Sequence, residues 1–345
     1  MEDLKQNKET VGILRSYGIK PRYIEAVGKI NKVYADTGIY ALKKIQPNKG
    51  TDFMRHIQFL YQKGYNRIVP VFPTSDGRYA VLENQSLFYL MPWLSNEEKE
   101  NRMERHRQMF RELARLHTLS AREIEINKED RLEHYEKTLR HWEKEEEFLE
   151  GFIESCENNW YMSPFELLFC QYYNNIRQAM DFSKQKLENW HEKTKDQQKS
   201  RMVVVHGKVS TEHFVYDEKG YGFFINFEEA RLGSPIHDLL PFLVRSLNTL
   251  PKRAYDCVEW ISTYFKYFPL KEEERSLFLS YLAHPTSILK IAEMYHQKQS
   301  GKDEQKLVQK LQREFWTLKN TEYVVMKTEE IEAQKKMAQQ EGAQE

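Results

Sequence analysis

Met202-Val203-Val204-Val205-His206-Gly207-Lys208-Val209-Ser210-Thr211-Glu212-His213-Phe214-Val215-Tyr216 is the stretch on which the reading of this chain turns. The apolar run Met202 to Val205 has the composition of a short strand and stops at His206-Gly207, before a polar loop. A second short strand, Phe214-Val215-Tyr216, enters the turn Asp217-Glu218-Lys219-Gly220, and Gly222 to Phe227 returns beside it. Two further segments follow closely: Ile225-Asn226-Phe227-Glu228, and Gly233-Ser234-Pro235-Ile236-His237-Asp238-Leu239. The order is strand, polar loop, hairpin, and then a second set of polar side chains.

Working outward, Tyr23 to Val27, Ile30 to Ala35 and Ile39 to Ile45 read as an antiparallel meander, the last two joined by Asp36-Thr37-Gly38. Phe53, Ile57, Leu60 and Tyr61 fall at helical spacing, and that pattern ends at Gly64. Ile68 to Phe72 and Tyr79 to Leu82 are predicted as strands around Thr74-Ser75-Asp76-Gly77, with a third apolar run from Leu87 to Trp93. Past Leu94 the composition changes to charged amphipathic helices. The first carries Met103, Phe110, Leu113, Ala114 and His117 on one face; Leu132 to Leu149 and Pro164 to Trp190 are the next two. Glu192 to Lys199 reads as an exposed linker, and after Asp238 the pattern is helical to Met326. These shifts predict a β-rich lobe over residues 1–94, a helical lobe over 95–326 that contains the polar loop, and a charged tail over 327–345 that is frayed or disordered.

Composition bounds the function classes. The 345 residues carry 52 Lys plus Arg and 52 Asp plus Glu, a formal charge of zero, so no global field draws the chain to nucleic acid or an anionic membrane. No stretch approaches a membrane span, and the N-terminus lacks the apolar core of a signal peptide, so membrane insertion and routine export are not expected. Cys156, Cys170 and Cys257 are widely spaced with no C-x-x-C pair, which argues against a zinc module or a disulfide framework. Trp142, Trp160, Tyr161 and Trp190 read as bundle core, with an interaction surface as the alternative.

The segment from His206 to Leu239 has the layout of a kinase catalytic segment, with a base-bearing loop followed by a metal-binding hairpin end. It resembles the H-G-D-x-x-x-x-N, D-F-D/E and G-x-P-x-x-D-L series of aminoglycoside phosphotransferases and choline kinases. That resemblance implies an α+β, two-lobed protein-kinase-like fold with a small β-rich N-lobe and a large, mainly helical C-lobe. Tyr40-Ala41-Leu42-Lys43 resembles the strand that carries the nucleotide-phosphate lysine, with Lys43 in register. Three positions depart from the pattern. Lys208 stands where the family has its catalytic Asp, His213 where it has a metal-binding Asn, and Asn226 where it has a metal-binding Asp. A lysine with an ordinary pKa of about 10.4 is no proton acceptor at neutral pH. Imidazole suits magnesium poorly, and an amide replaces a carboxylate at Asn226. No catalytic residue and no metal site are therefore expected, with Lys43 and Glu228 as vestigial cofactor-binding positions and His206, Gly207 and Asp238 as structural remnants. Lys208 could alternatively supply the charge that magnesium once supplied, held against Glu228 or Glu212.

Together with Tyr89-Leu90-Met91-Pro92-Trp93 and Leu113-Ala114-Arg115-Leu116-His117, these segments are similar to the CotS family of bacterial spore coat proteins, its YsxE branch first and its YutH branch second. The resemblance implies synthesis in the mother cell, deposition in the spore coat, and other coat proteins as partners. The expectation is a catalytically degenerate kinase fold used in coat assembly or structure, with no cofactor. The alternatives are a residual phosphotransferase using ATP and magnesium, or a nucleotide-binding regulator.

Overall fold

A computed structural model describes residues 2–28, 30–47, 52–94, 102–248, 254–298 and 304–341. The chain divides into two compact units, Met1–Ala121 with Met202–Asp238, and Arg122–Arg201 with Leu239–Glu345. The boundary expected at residue 95 lies outside the described residues, and the division differs from a simple N-terminal and C-terminal split. The polar loop and its hairpin belong to the same unit as the β-rich segment.

In the first unit, α1 (Glu2–Ser16) precedes the meander β1 (Pro21–Val27), β2 (Ile30–Ala35) and β3 (Gly38–Ile45); α2 (Phe53–Gln62), β4 (Val81–Glu83) and β5 (Ser86–Pro92) follow. The sheet order is β1-β2-β3-β5-β4, with every pairing antiparallel. Side chains alternate across it. Val33, Leu42, Phe88 and Leu90 form a core with Ile13 and Leu14 of α1. In register on β3 and β5, Ala41 pairs with Met91 and Lys43 with Tyr89, and the two-residue period places all four on the opposite face. Helix α2 buries Phe53, Met54, Ile57 and Leu60 and gives way to Gly64 at a φ of 81°. Residues 68–72 were expected as a strand but make only isolated bridges, Ile68 to Phe224 and Phe72 to Leu90. Pro70 and Pro73 lack the N–H groups that a ladder needs. Helix α3 (Arg102–Ser120) buries Phe110, Leu113, Ala114 and His117 completely.

The second unit contains β6 (Arg122–Glu125), the long α4 (Lys128–Glu157) and α5 (Pro164–Thr194). Asn127 caps α4 by accepting from the Glu129 N–H, and Ser163 and Glu166 form a reciprocal capping box on α5, which explains where both helices begin. The linker expected over 192–199 is helical to Thr194 and enters β7 (Lys199–Val205) at its end. The buried Arg131 holds this turn by donating to the carbonyls of Thr194 and Gln197 and to Ser200 Oγ. Within the first unit, the 203–205 end of β7 pairs with β10 (Arg231–Gly233), and β8 (Phe214–Tyr216) pairs with β9 (Gly222–Phe224).

Helices α6 (Ile236–Leu247), α7 (Ala254–Tyr267), α8 (Glu272–Ala283), α9 (Thr286–Lys298) and α10 (Glu304–Glu341) complete the chain. Phe152, Phe165, Phe169, Leu289, Leu311 and Leu318 lie in the main core of the second unit, and Trp142, Leu187 and Trp190 form a smaller one. The charged tail, expected as frayed or disordered from 327, is instead helical to Glu341. It is docked by the pairs Lys186 to Glu329, Arg275 to Glu332 and Lys336 to Glu272, contacts that its local composition does not announce.

Candidate functional site

The buried strand residues Val203, Val204 and Val205 deliver the chain to His206, which is itself wholly buried. Val204 N–H donates to Ser120 Oγ at 3.0 Å, tying this strand to the end of α3. Gly207 follows at a φ of 79°, and a Cβ there would lie 2.4 Å from the Glu229 carbonyl oxygen, so glycine is required on both counts.

Asp238 organises the turn. Its Oδ2 accepts from His206 N–H at 2.7 Å and from His117 Nε2 at 3.1 Å, while Oδ1 accepts from Gly207 N–H at 2.7 Å. Burial alone would raise this carboxyl, but hydrogen bonding and charge interaction with His117, together with His206, hold it below the ordinary aspartate range. The His206 ring accepts the Lys208 N–H at Nδ1, 3.2 Å away, so its Nε2–H donates to the Ile225 carbonyl at 2.8 Å. Burial lowers its pKa and keeps this neutral tautomer in place. His206, Gly207 and Asp238 thus lie together, and His117 completes the set. The sequence reading placed His117 only on the apolar face of the first amphipathic helix and in a segment similar to the CotS family; its distinguishing signal was a polar residue on that face.

After Gly207, Ser210 caps a 3-10 turn, Thr211–His213, and His213 Nδ1–H donates to the Lys208 carbonyl at 2.8 Å. Burial lowers the His213 pKa, and the Lys208 and Lys43 charges push the same way. On the far side of the hairpin Asn226 adopts the left-handed conformation, φ 69° and ψ 52°, which Asn and Asp tolerate better than other side chains. Lys43 Nζ donates to Asn226 Oδ1 and Glu228 Oε1, each at 2.5 Å, and Tyr89 OH donates to the same Glu228 oxygen at 2.5 Å. The side chains of Lys43 and Glu228 are only 15% and 10% exposed. Burial would raise the Glu228 carboxyl, yet the Lys43 ammonium and the Tyr89 hydroxyl outweigh it and hold it ionised. Tyr89 is pushed well above the usual phenol value, first by burial and then by the Glu228 charge, so it remains a donor.

Lys43, Asn226 and Glu228 are therefore brought into one cluster, with Tyr89 as a fourth member that the sequence reading noted only within an apolar run similar to the CotS family. The alternative pairing of Lys208 with Glu228 or Glu212 is not formed. Glu228 is held by Lys43, and the Lys208 ammonium makes no hydrogen bond or ion pair among the described residues. Helix α2 supplies no carboxylate to Lys43; Asp52, just before it, lies 3.7 Å from Arg55 at the surface. A cavity of about 1190 Å³ opens beside the cluster, lined by Lys43, Lys44, Lys208, Asn226 and Glu228 among others.

A magnesium–nucleotide group of the kind a kinase fold implies does not fit this donor set. The Asn226 and Glu228 oxygens nearest the cluster centre are already engaged by an ammonium, and the third position offers an imidazole. Among the described residues no group of three or more His, Cys, Asp or Glu side chains could hold a metal ion.

The antiparallel sheet, the lysine on its third strand and the loop–hairpin segment define a kinase-like fold of the aminoglycoside phosphotransferase type. An aminoglycoside phosphotransferase from Alicyclobacillus acidocaldarius subsp. acidocaldarius DSM 446 superposes with a TM-score of 0.67 at 15% identity, covering 93% of this chain and 96% of that one. The AMP-bound spectinomycin phosphotransferase APH(9)-Ia gives a TM-score of 0.52 at 13% identity, covering 93% and 97%. No curated protein matches the sequence. Residues 11–328 match the model of the family described as "Spore coat putative kinase YutH", and the chain belongs to that family. The matching branch is the one that the sequence reading placed second.

Proposed function

We propose that this protein is a structural or assembly component of the spore coat whose kinase-like cleft does not transfer phosphate. The observation that carries the reading is the Lys43 ammonium bound to both Asn226 and Glu228, beside a loop that bears Lys208 where a proton acceptor is needed. Phosphoryl transfer depends on divalent counter-charge and an oriented nucleophile. Here the oxygens that would hold a metal hold an amine, and the base position carries a positive charge. Family membership supports the coat setting, with synthesis in the mother cell and other coat proteins as partners. Neither a cofactor, nor nucleic acid, nor membrane insertion enters this reading.

Incubation of the full chain with ATP and magnesium or manganese, over a panel of hydroxylated and amine acceptors, is expected to give no transfer above that of a denatured control. Metal-dependent turnover that Lys43→Ala and Glu228→Ala each abolish would replace this reading with a residual phosphotransferase. The open cavity favours one second reading, a nucleotide-binding regulator without transfer. It predicts a thermal shift with ATP, which an inert cleft would not give with or without metal.

A further inference from the structure

The hairpin between α4 and α5 carries a feature independent of the cleft. Trp160 and Tyr161 stand side by side at its tip, 89% and 85% exposed, with their ring centroids 6.4 Å apart. Trp142 and Trp190, in contrast, are buried. Tryptophan is rarely left in water at this extent, because burying so large an apolar surface is worth several kcal/mol on the order of ~25 cal/mol per Å².

The tip is a built turn. The Asn158 N–H donates to the Glu154 carbonyl, Asn159 Nδ2 donates to Glu166 Oε1 at 3.1 Å, and Ser163 and Glu166 close the capping box. Ser163 Oγ and Tyr295 OH lie 2.8 Å apart, and Phe165 N–H donates to Glu304 Oε1 at 3.1 Å. The backbone on both sides of the two rings is thus held, so they are presented with little ordering entropy left to lose on contact. Leu167, one turn into α5, is also 52% exposed.

The charge on the hairpin's own tip has one sign. From Glu145 to Ile176 the sequence contains Glu145, Glu146, Glu147, Glu150, Glu154, Glu157 and Glu166 and no Lys or Arg, in a chain whose net charge is zero. Arg177 and Lys184 reach back to Glu146, and Arg177 also to Glu150, so the nearer half of the hairpin is neutralised. Glu154 and Glu157, in the last turn of α4, make no ion pair among the described residues, and that turn contains no basic residue to offset the negative helix pole. The positive pole of α5 is already met by Ser163, Glu166 and Glu304.

We propose that the α4–α5 tip is a docking site for a basic polypeptide segment, with Trp160 and Tyr161 taking its aliphatic stems and cationic heads and Glu154 and Glu157 pairing with its remaining charges. Aromatic faces attract Lys and Arg directly, and exposed aromatic anchors beside unpaired carboxylates are complementary to a Lys/Arg-rich strand or helix. An acidic partner would meet the like charge of Glu154 and Glu157.

The test uses the intact chain and a short fluorescent peptide of Lys and Arg interleaved with Leu, titrated by anisotropy at low and moderate salt. Binding is expected, weakening with salt and falling at least about tenfold in Trp160→Ala and in Glu154→Lys/Glu157→Lys. Far-UV circular dichroism should be unchanged in both variants, because these side chains support nothing beneath them. Three results would overturn the proposal: equal affinity for the wild type and the Trp160→Ala/Tyr161→Ala variant, equal binding of an acidic control peptide, or partition of the tip onto phosphatidylcholine vesicles with no peptide binding.

Discussion

Two regions of the first unit treat their charged groups in opposite ways. Around Asp238 every donor has its acceptor, and the residues that resemble the kinase pattern, His206, Gly207 and Asp238, are all present. Around Lys43 the pattern has been rewritten. Asn226 and Lys208 stand where the resembling series has acids, and Glu228 is turned to hold the strand lysine. The first region positions backbone; in a working kinase the second would position phosphate and metal. On the proposed reading the second function is given up and the fold kept, whereas the first region cannot be altered without leaving buried polar groups unpaired.

The largest effect should therefore come from Asp238→Ala. It strips the acceptor from the backbone N–H groups of buried His206 and half-buried Gly207 and from the buried His117. Breaking such a network costs about 3–5 kcal/mol, and urea denaturation should show the midpoint collapsing or the protein failing to accumulate. A loss under about 1 kcal/mol would erase the distinction between the two regions. Gly207→Ala comes next. A methyl group pressed on the Glu229 carbonyl in a left-handed backbone should cost about 2–3 kcal/mol, read from the same denaturation curves.

Sequence reading reached the first region well and the second only in part, for a physical reason. His206, Gly207 and Asp238 lie within one segment, and its resemblance to the H-G-D-x-x-x-x-N and G-x-P-x-x-D-L series is what singled them out. The partner of Lys43 lies 185 residues away, and no local pattern could decide whether Glu228 meets Lys43 or Lys208. Likewise β2 and α2 were legible from period and end signals, Phe53–Gln62 as the structure has it. Residues 68–72 were not, because their apolar run outweighed Pro70 and Pro73 in the reading. Helix α1 escaped because Ile13 and Leu14 are too short an apolar set to establish a period. The tail of α10 was misjudged because ion pairs to α5 and α8 dock it.

Glu228→Gln sharpens the comparison through pH. The Glu228 carboxyl is held below its usual value of 4.5, so its contribution is fully present above that pH and is lost as pH falls through the depressed folded-state value. At neutral pH the variant should be less stable by about 1–2 kcal/mol, because Lys43 then faces two amides and no carboxylate. The two denaturation curves should begin to approach each other below pH 4.5 and meet only once the pH has fallen through the depressed folded-state value. Equal stability of the two proteins at neutral pH would mean that the Lys43 pair adds nothing specific and that the cluster is solvent-screened like any surface pair.

Lys208→Ala should change stability least, by no more than about 0.5 kcal/mol, because the ammonium makes no bond among the described residues. Its effect should appear in its neighbours' titration. The Lys208 charge depresses both Lys43 and His213, so its removal should move the His213 imidazole pKa upward, which proton NMR of the ring can follow. A large loss of stability would show that Lys208 is a structural counter-charge after all, joined to the rewritten cluster as tightly as Asp238 is joined to its own. An unmoved His213 together with unchanged stability would place Lys208 outside the cluster's electrostatics, and the contrast between a retained scaffold and a rewritten cleft would then rest on Asn226 and Glu228 alone.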